Sequence, residues 1–161
     1  MTLFFHPAGL LASPGGVVVA LLAWAALAGT AYVDARRGRV PDAPLLVAAL
    51  AIALAFLWLQ PPELLLKRLL LALVCGGAVW AINEIWYYAH KQDALGMGDA
   101  KWSMLAVLAF GTMPVMWAWI LGAWLALGWM AVLRLRRHKI QRVFFAPFLC
   151  VGLAVVKLVV G

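Results

Sequence analysis

Uncharged apolar runs alternate with short polar stretches along the whole chain. Residues 15–33 carry no charge, and the hinge DARRGRVPD (34–42) follows. A second apolar run, 43–59, stops at the turn formed by Gln60, Pro61, Pro62 and Glu63. Lys67 and Arg68 open a third run that reaches about Tyr88. Next come the polar stretch HKQDALGMGDAK (90–101) and 32 uncharged residues from Trp102 to Leu133. The basic stretch RLRRHKIQR (134–142) precedes a last run, 143–161, interrupted only by Lys157.

The 32-residue stretch predicts two helices. As one helix it would be about 48 Å long, against a hydrocarbon core of about 30 Å. Gly111, Thr112 and Pro114 supply the break. Charge supports the same division. With two helices, the stretches at 34–42, 88–101 and 134–142 all fall on one side. They hold ten of the thirteen Lys and Arg residues: Arg36, Arg37, Arg39, Lys91, Lys101, Arg134, Arg136, Arg137, Lys139 and Arg142. Basic residues accumulate on the cytoplasmic side of membrane proteins. The expectation is an all-α membrane protein, a bundle of about six transmembrane helices with its N-terminus outside. Lys67, Arg68 and Lys157 are expected to snorkel to the outer interface. The fourth helix, from near Asp99 to near Phe110, would be about 18 Å long and too short to cross. Asp99 is therefore expected slightly inside the hydrocarbon boundary.

Composition adds exclusions. The 161 residues are 67% apolar and 12% charged, far from a soluble domain with about a quarter charged. Six spans of about 20 residues leave about 40 for all connections, so 1–161 reads as a single integral-membrane domain. The net charge of +7 is assigned to topology and lipid headgroups rather than to nucleic acid. Cys75 and Cys150 sit in apolar runs without metal spacing, and His6, His90 and His138 do not cluster, so no metal site or cofactor is expected.

Six acids remain. Asp34 closes the first helix and Asp99 opens the fourth on the same side. Each has a plain reading: Asp34 as a boundary marker paired with Arg36 or Arg37, Asp99 as a helix N-cap after a glycine turn. Together they suggest a carboxylate pair, one ionised and one protonated, that activates water. Helix ends favour Asp99 as the base and Asp34 as the acid, because the N-terminus of a helix stabilises negative charge; charge from Arg36 and Arg37 on Asp34 would reverse the assignment. Glu84, near the inner end of the third helix, is a candidate substrate contact, with pairing to Lys91 as its plain alternative.

Asp34 followed by Val40, Pro41 and Asp42, then GMGDAK at 96–101, resembles the type IV prepilin peptidases, polytopic aspartic proteases of the GxGD group. The segment FFAPFLCVG (144–152) resembles that family's Pro- and Phe-rich final helix, so the similarity spans Tyr32 to Gly152. The resemblance implies that Asp34 and Asp99 are the catalytic pair, with Gly96, Gly98 and Lys101 in support. Lys101 would supply electrostatic support, or serve as a topology anchor. Asp93 falls where relatives often carry an acid and joins Glu84 as a candidate substrate contact. The implied activity is removal of the short leader of type IV pilin-like precursors at the cytoplasmic face of a bacterial inner membrane. Longer members add an insert with two CxxC pairs and methylate the new N-terminus from S-adenosylmethionine. Nothing here matches that insert, so a cleavage-only form is expected. A membrane assembly component that binds pilin-like subunits without cutting them is the alternative. A small transporter ranks last, because the central stretches are almost wholly apolar.

Overall fold

A computed structural model of the chain describes residues 14–37, 40–91, 96–136 and 144–160. Six helices account for nearly all of them: α1 (Pro14–Arg37), α2 (Asp42–Leu59), α3 (Pro62–His90), α4 (Met97–Phe110), α5 (Thr112–Leu135) and α6 (Ala146–Val160). No strand occurs among the described residues. The molecule is an all-α bundle in which α1, α2, α3 and α5 are each long and apolar enough to cross a membrane. The other two are shorter, 14 residues for α4 and 15 for α6.

Local chemistry sets the helix ends. Pro62 occupies the first turn of α3, where its missing N–H costs nothing. That starts α3 five residues before the Lys67 expected to open it. Lys91 ends α3 in the left-handed conformation, its N–H bonded to Tyr87 O. The long apolar stretch divides at Gly111, whose φ of 87° only glycine adopts without strain. Pro114 follows in the first turn of α5, a position that tolerates proline.

Successive helices run antiparallel. Gly15 at the start of α1 packs on Leu59 at the end of α2. The Arg68 guanidinium on α3 lies over the Phe56 ring of α2. Trp119 Nε1 on α5 donates to Ser103 Oγ on α4 at 2.9 Å. The α5–α6 crossing is closer still. A methyl group on Gly152 would stand 2.6 Å from Ala118 O, and one on Gly122 would stand 3.2 Å from the Phe148 carbonyl.

Helix α4 is the core of the bundle and packs against every other described helix. From Asp99 to Ala109 every side chain is buried except those of Lys101 and Met104, and Trp102 is fully enclosed. The long helices instead carry exposed apolar residues, including Leu46, Leu54, Leu73, Val74 and Trp124. Helices apolar all round and exposed on one side suit lipid rather than water as the surrounding solvent.

Candidate functional site

Val19, Ala23, Leu27, Ala31 and Asp34 are all buried and recur at the helical period along α1. Asp34 is thus the last position of the stripe that faces the bundle. Thr30, one turn before it, is also buried and satisfies its hydroxyl on Ala26 O and Leu27 O. The neighbouring arginines point elsewhere: Arg36 lies over the Tyr32 ring at 4.8 Å, and Arg37 is exposed. Among the described residues no ion pair or hydrogen bond reaches the Asp34 carboxyl. The boundary marker paired with Arg36 or Arg37 is therefore not what these residues form.

Asp99 sits in the first turn of α4 and is 5% exposed, against 8% for Asp34. It is the third helical residue, not the N-cap. Gly96 holds the cap position, and its N–H donates to Asp99 Oδ2 at 3.1 Å while the Asp99 N–H donates to Gly96 O at 2.9 Å. The two bonds close the turn reciprocally, as in a capping box.

Two rings fix the register between the acids. Trp24 of α1 meets Phe110 of α4 with centroids 5.3 Å apart. Ten residues on from Trp24 stands Asp34; eleven back from Phe110 stands Asp99. In antiparallel helices of equal rise, that brings the two carboxyls to one level. Trp102 Nε1, bonded to Leu27 O at 3.2 Å, ties α4 to α1 between these points.

The two sequence motifs also touch. A methyl group on Gly98 would lie 2.5 Å from Val40 Cγ2, so only a glycine lets the Val40–Pro41–Asp42 segment close onto α4. Lys101 Nζ then pairs with Asp42 Oδ1 at 2.5 Å. Lys101, expected either to support the carboxylate pair electrostatically or to anchor topology, has its ammonium paired with Asp42. Asp42 stands 59 positions from Lys101, so local sequence carries no sign of the pair.

Glu84 stands at the height of this loop. A methyl on Gly76 of α3 would collide with the Met104 side chain of α4, so these residues face each other. Eight residues beyond Gly76 is Glu84, and eight before Met104 is Gly96. The Glu84–Lys91 pair does not form: Lys91 lies over the Tyr87 and Tyr88 rings instead. Asp93 lies outside the described residues, as do Arg39, His6, His138 and residues 137–142 of the basic stretch. His90 stacks on Trp86 at 4.0 Å. Among the described residues no three His, Cys, Asp or Glu gather in a way that could hold a metal ion.

Chemically, the site offers two enclosed carboxyls at one level, one bonded to a backbone N–H and one without a partner among the described residues. Two such groups do not both ionise easily, and the proton they retain belongs to the pair. No protein-family model matches the chain, and no curated protein or solved structure is significantly similar to it.

Proposed function

We propose that the chain is a membrane-embedded aspartic endopeptidase of the prepilin peptidase type. It would remove the short leader of type IV pilin-like precursors at the cytoplasmic face of a bacterial inner membrane. The observation that carries this reading is the convergence of Asp34 and Asp99 at one level, with the Val40–Asp42 segment closed onto the glycine loop. Arg36 and Arg37 lie nearer to Asp34 in sequence, yet neither pairs with it.

In the proposed reaction a water molecule lies between the carboxyls. The ionised member takes one water proton, and the oxygen attacks the scissile carbonyl carbon. The protonated member gives its proton to the carbonyl oxygen, which produces a neutral tetrahedral diol. The second member, now ionised, takes one diol proton while the first, now protonated, delivers its proton to the amide nitrogen, and the C–N bond breaks. The products are a leader carboxyl group and the free amine of the mature subunit. The Gly96 N–H bonded to Asp99 Oδ2 favours its ionised form and the deep burial of Asp99 opposes it, so the acid and base roles belong to the pair as a whole.

The capping bonds of Asp99 favour one second reading, a non-cutting assembly component in which Asp99 only closes the turn of α4. Co-expression of a candidate precursor with wild type, Asp34→Asn and Asp99→Asn separates the two. The peptidase reading expects each variant to reach the membrane at normal level and to lose cleavage by about 10²–10⁴-fold. Cleavage at the wild-type rate in either variant would remove that residue from the chemistry. A wild type that leaves a matched panel of precursors uncut would favour the assembly component.

A further inference from the structure

Lys67, Arg68 and Lys157 share one expectation, that they reach out to the interface, and only Lys67 is exposed. Arg68 turns inward. Its Nη1 donates to Leu108 O at 3.2 Å and to Ala109 O at 2.9 Å, and its guanidinium covers the Phe56 ring at 4.8 Å. Lys157 comes from α6 to the same place, its ammonium 5.5 Å from the centre of the Phe110 ring. Both cations therefore meet the C-terminal end of α4, where the helix dipole is negative and the last carbonyls lack intrahelical partners.

Length explains why that end needs them. Fourteen residues span about 21 Å, some 9 Å short of a hydrocarbon core of about 30 Å. Arg68 lies six residues into α3, about 9 Å from its start at Pro62. The shortfall of α4 thus falls at the end away from Asp99, and Arg68 fills it with a donor that reaches two carbonyls at once. Asp99 is nine residues from Leu108 within one continuous helix, so whatever holds Leu108 also holds Asp99.

We propose that Arg68 is a positioning residue: by anchoring the far end of α4 to α3 it sets the height at which Asp99 meets Asp34. The link to chemistry rests on the peptidase reading; the link to α4 does not. A lysine would replace the planar fork with a single point charge and recover only part of the effect.

Two measurements test this. The first uses protein with Cys75→Ala, Cys150→Ala and Met97→Cys, labelled in native membranes with a membrane-impermeant maleimide. Met97 is 52% exposed at the start of α4, so its labelling rate reports the height of that end. The second is the kinetics of precursor cleavage in protein with its native cysteines. Arg68→Gln should change labelling at position 97 by about threefold or more. It should also lower kcat roughly tenfold to hundredfold with KM within about twofold. Arg68→Lys should fall between Arg68→Gln and wild type on both measures, and the exposed neighbour Lys67→Gln should change neither. Wild-type labelling in Arg68→Gln would overturn the proposal, as would a kcat loss unaccompanied by a labelling change. Should Arg68→Gln fail to accumulate, Arg68→Lys decides: a shift on both measures supports the anchor, and wild-type behaviour on both overturns it. If wild type cuts no precursor, the peptidase reading fails while the labelling arm still decides whether Arg68 holds α4.

Discussion

A methyl group added at Gly98 and one added at Gly96 would meet different surroundings, although the two glycines belong to one motif. At Gly98 it would collide with Val40, whereas at Gly96 the nearest atom, Asp99 Oδ2, is 3.5 Å away in ordinary contact. Gly98→Ala should therefore lower cleavage by roughly tenfold or more, because small displacements at a reacting centre cost that much. Gly96→Ala should stay within about threefold of wild type; parallel kinetics on the two variants check the order. Asp99 allows a sharper separation of roles. Asparagine keeps an oxygen that can accept the Gly96 N–H but removes the charge, whereas alanine removes both. Asp99→Asn should keep wild-type thermal stability in detergent and lose cleavage. Asp99→Ala should lose cleavage and about 1 kcal/mol of stability with the cap. Equal melting temperatures for the two variants would show that the capping bonds contribute nothing measurable.

Between elements, the consequential contacts are those that sequence distance hides. Asp34 and the glycine loop were legible in the chain, since acids are scarce and both bound apolar runs. The break at Gly111 was legible too, because 32 apolar residues are too long for one membrane helix. The inward turn of Arg68 was not: a basic residue near a helix end has the same local sequence whether it snorkels or caps a neighbouring helix. Nor was the Lys101–Asp42 pair, since a salt bridge between the starts of two helices leaves no periodic trace. That pair joins α2 to α4 next to the Val40–Gly98 contact, and its side chains are 40% and 74% exposed. Such pairs contribute about 0–1 kcal/mol, so its expected role is to align the two segments rather than to stabilise the bundle. Lys101→Met and Asp42→Asn should then give similar small losses of cleavage, and the double variant should be no worse than either single one. Additive losses in that double-mutant cycle would mean that Lys101 acts on the site independently of Asp42. The Gly111 break has its own signature. Space around it is open, but its φ is 87° and ψ 172°, so Gly111→Ala should cost about 1–3 kcal/mol from backbone conformation alone, read as a lower melting temperature in detergent.

On the scale of the whole molecule, antiparallel neighbours carry the ends of α1, α3 and α5 to one end of the bundle, together with the starts of α2 and α4. Arg36, Arg37, Lys91, Lys101, Arg134 and Arg136 all occupy that end, while Lys67, Arg68 and Lys157 lie toward the other. Both candidate carboxyls and the glycine loop share the basic end. Two independent physical rules therefore bear on one orientation. Positive charge is retained on the cytoplasmic side, and leader removal in the proposed reaction requires the carboxyl pair to face that same side. Single cysteines in a background with Cys75 and Cys150 replaced by Ala test the coincidence directly. Gln60→Cys marks the turn between α2 and α3, and Arg136→Cys marks the basic end of α5. In intact spheroplasts a membrane-impermeant maleimide should label position 60 and leave position 136 unlabelled; membrane disruption should expose 136. Labelling of 136 from outside would invert the bundle. The carboxyl pair would then face away from the cytoplasm, and cytoplasmic leader cleavage would be untenable however well the pair is formed.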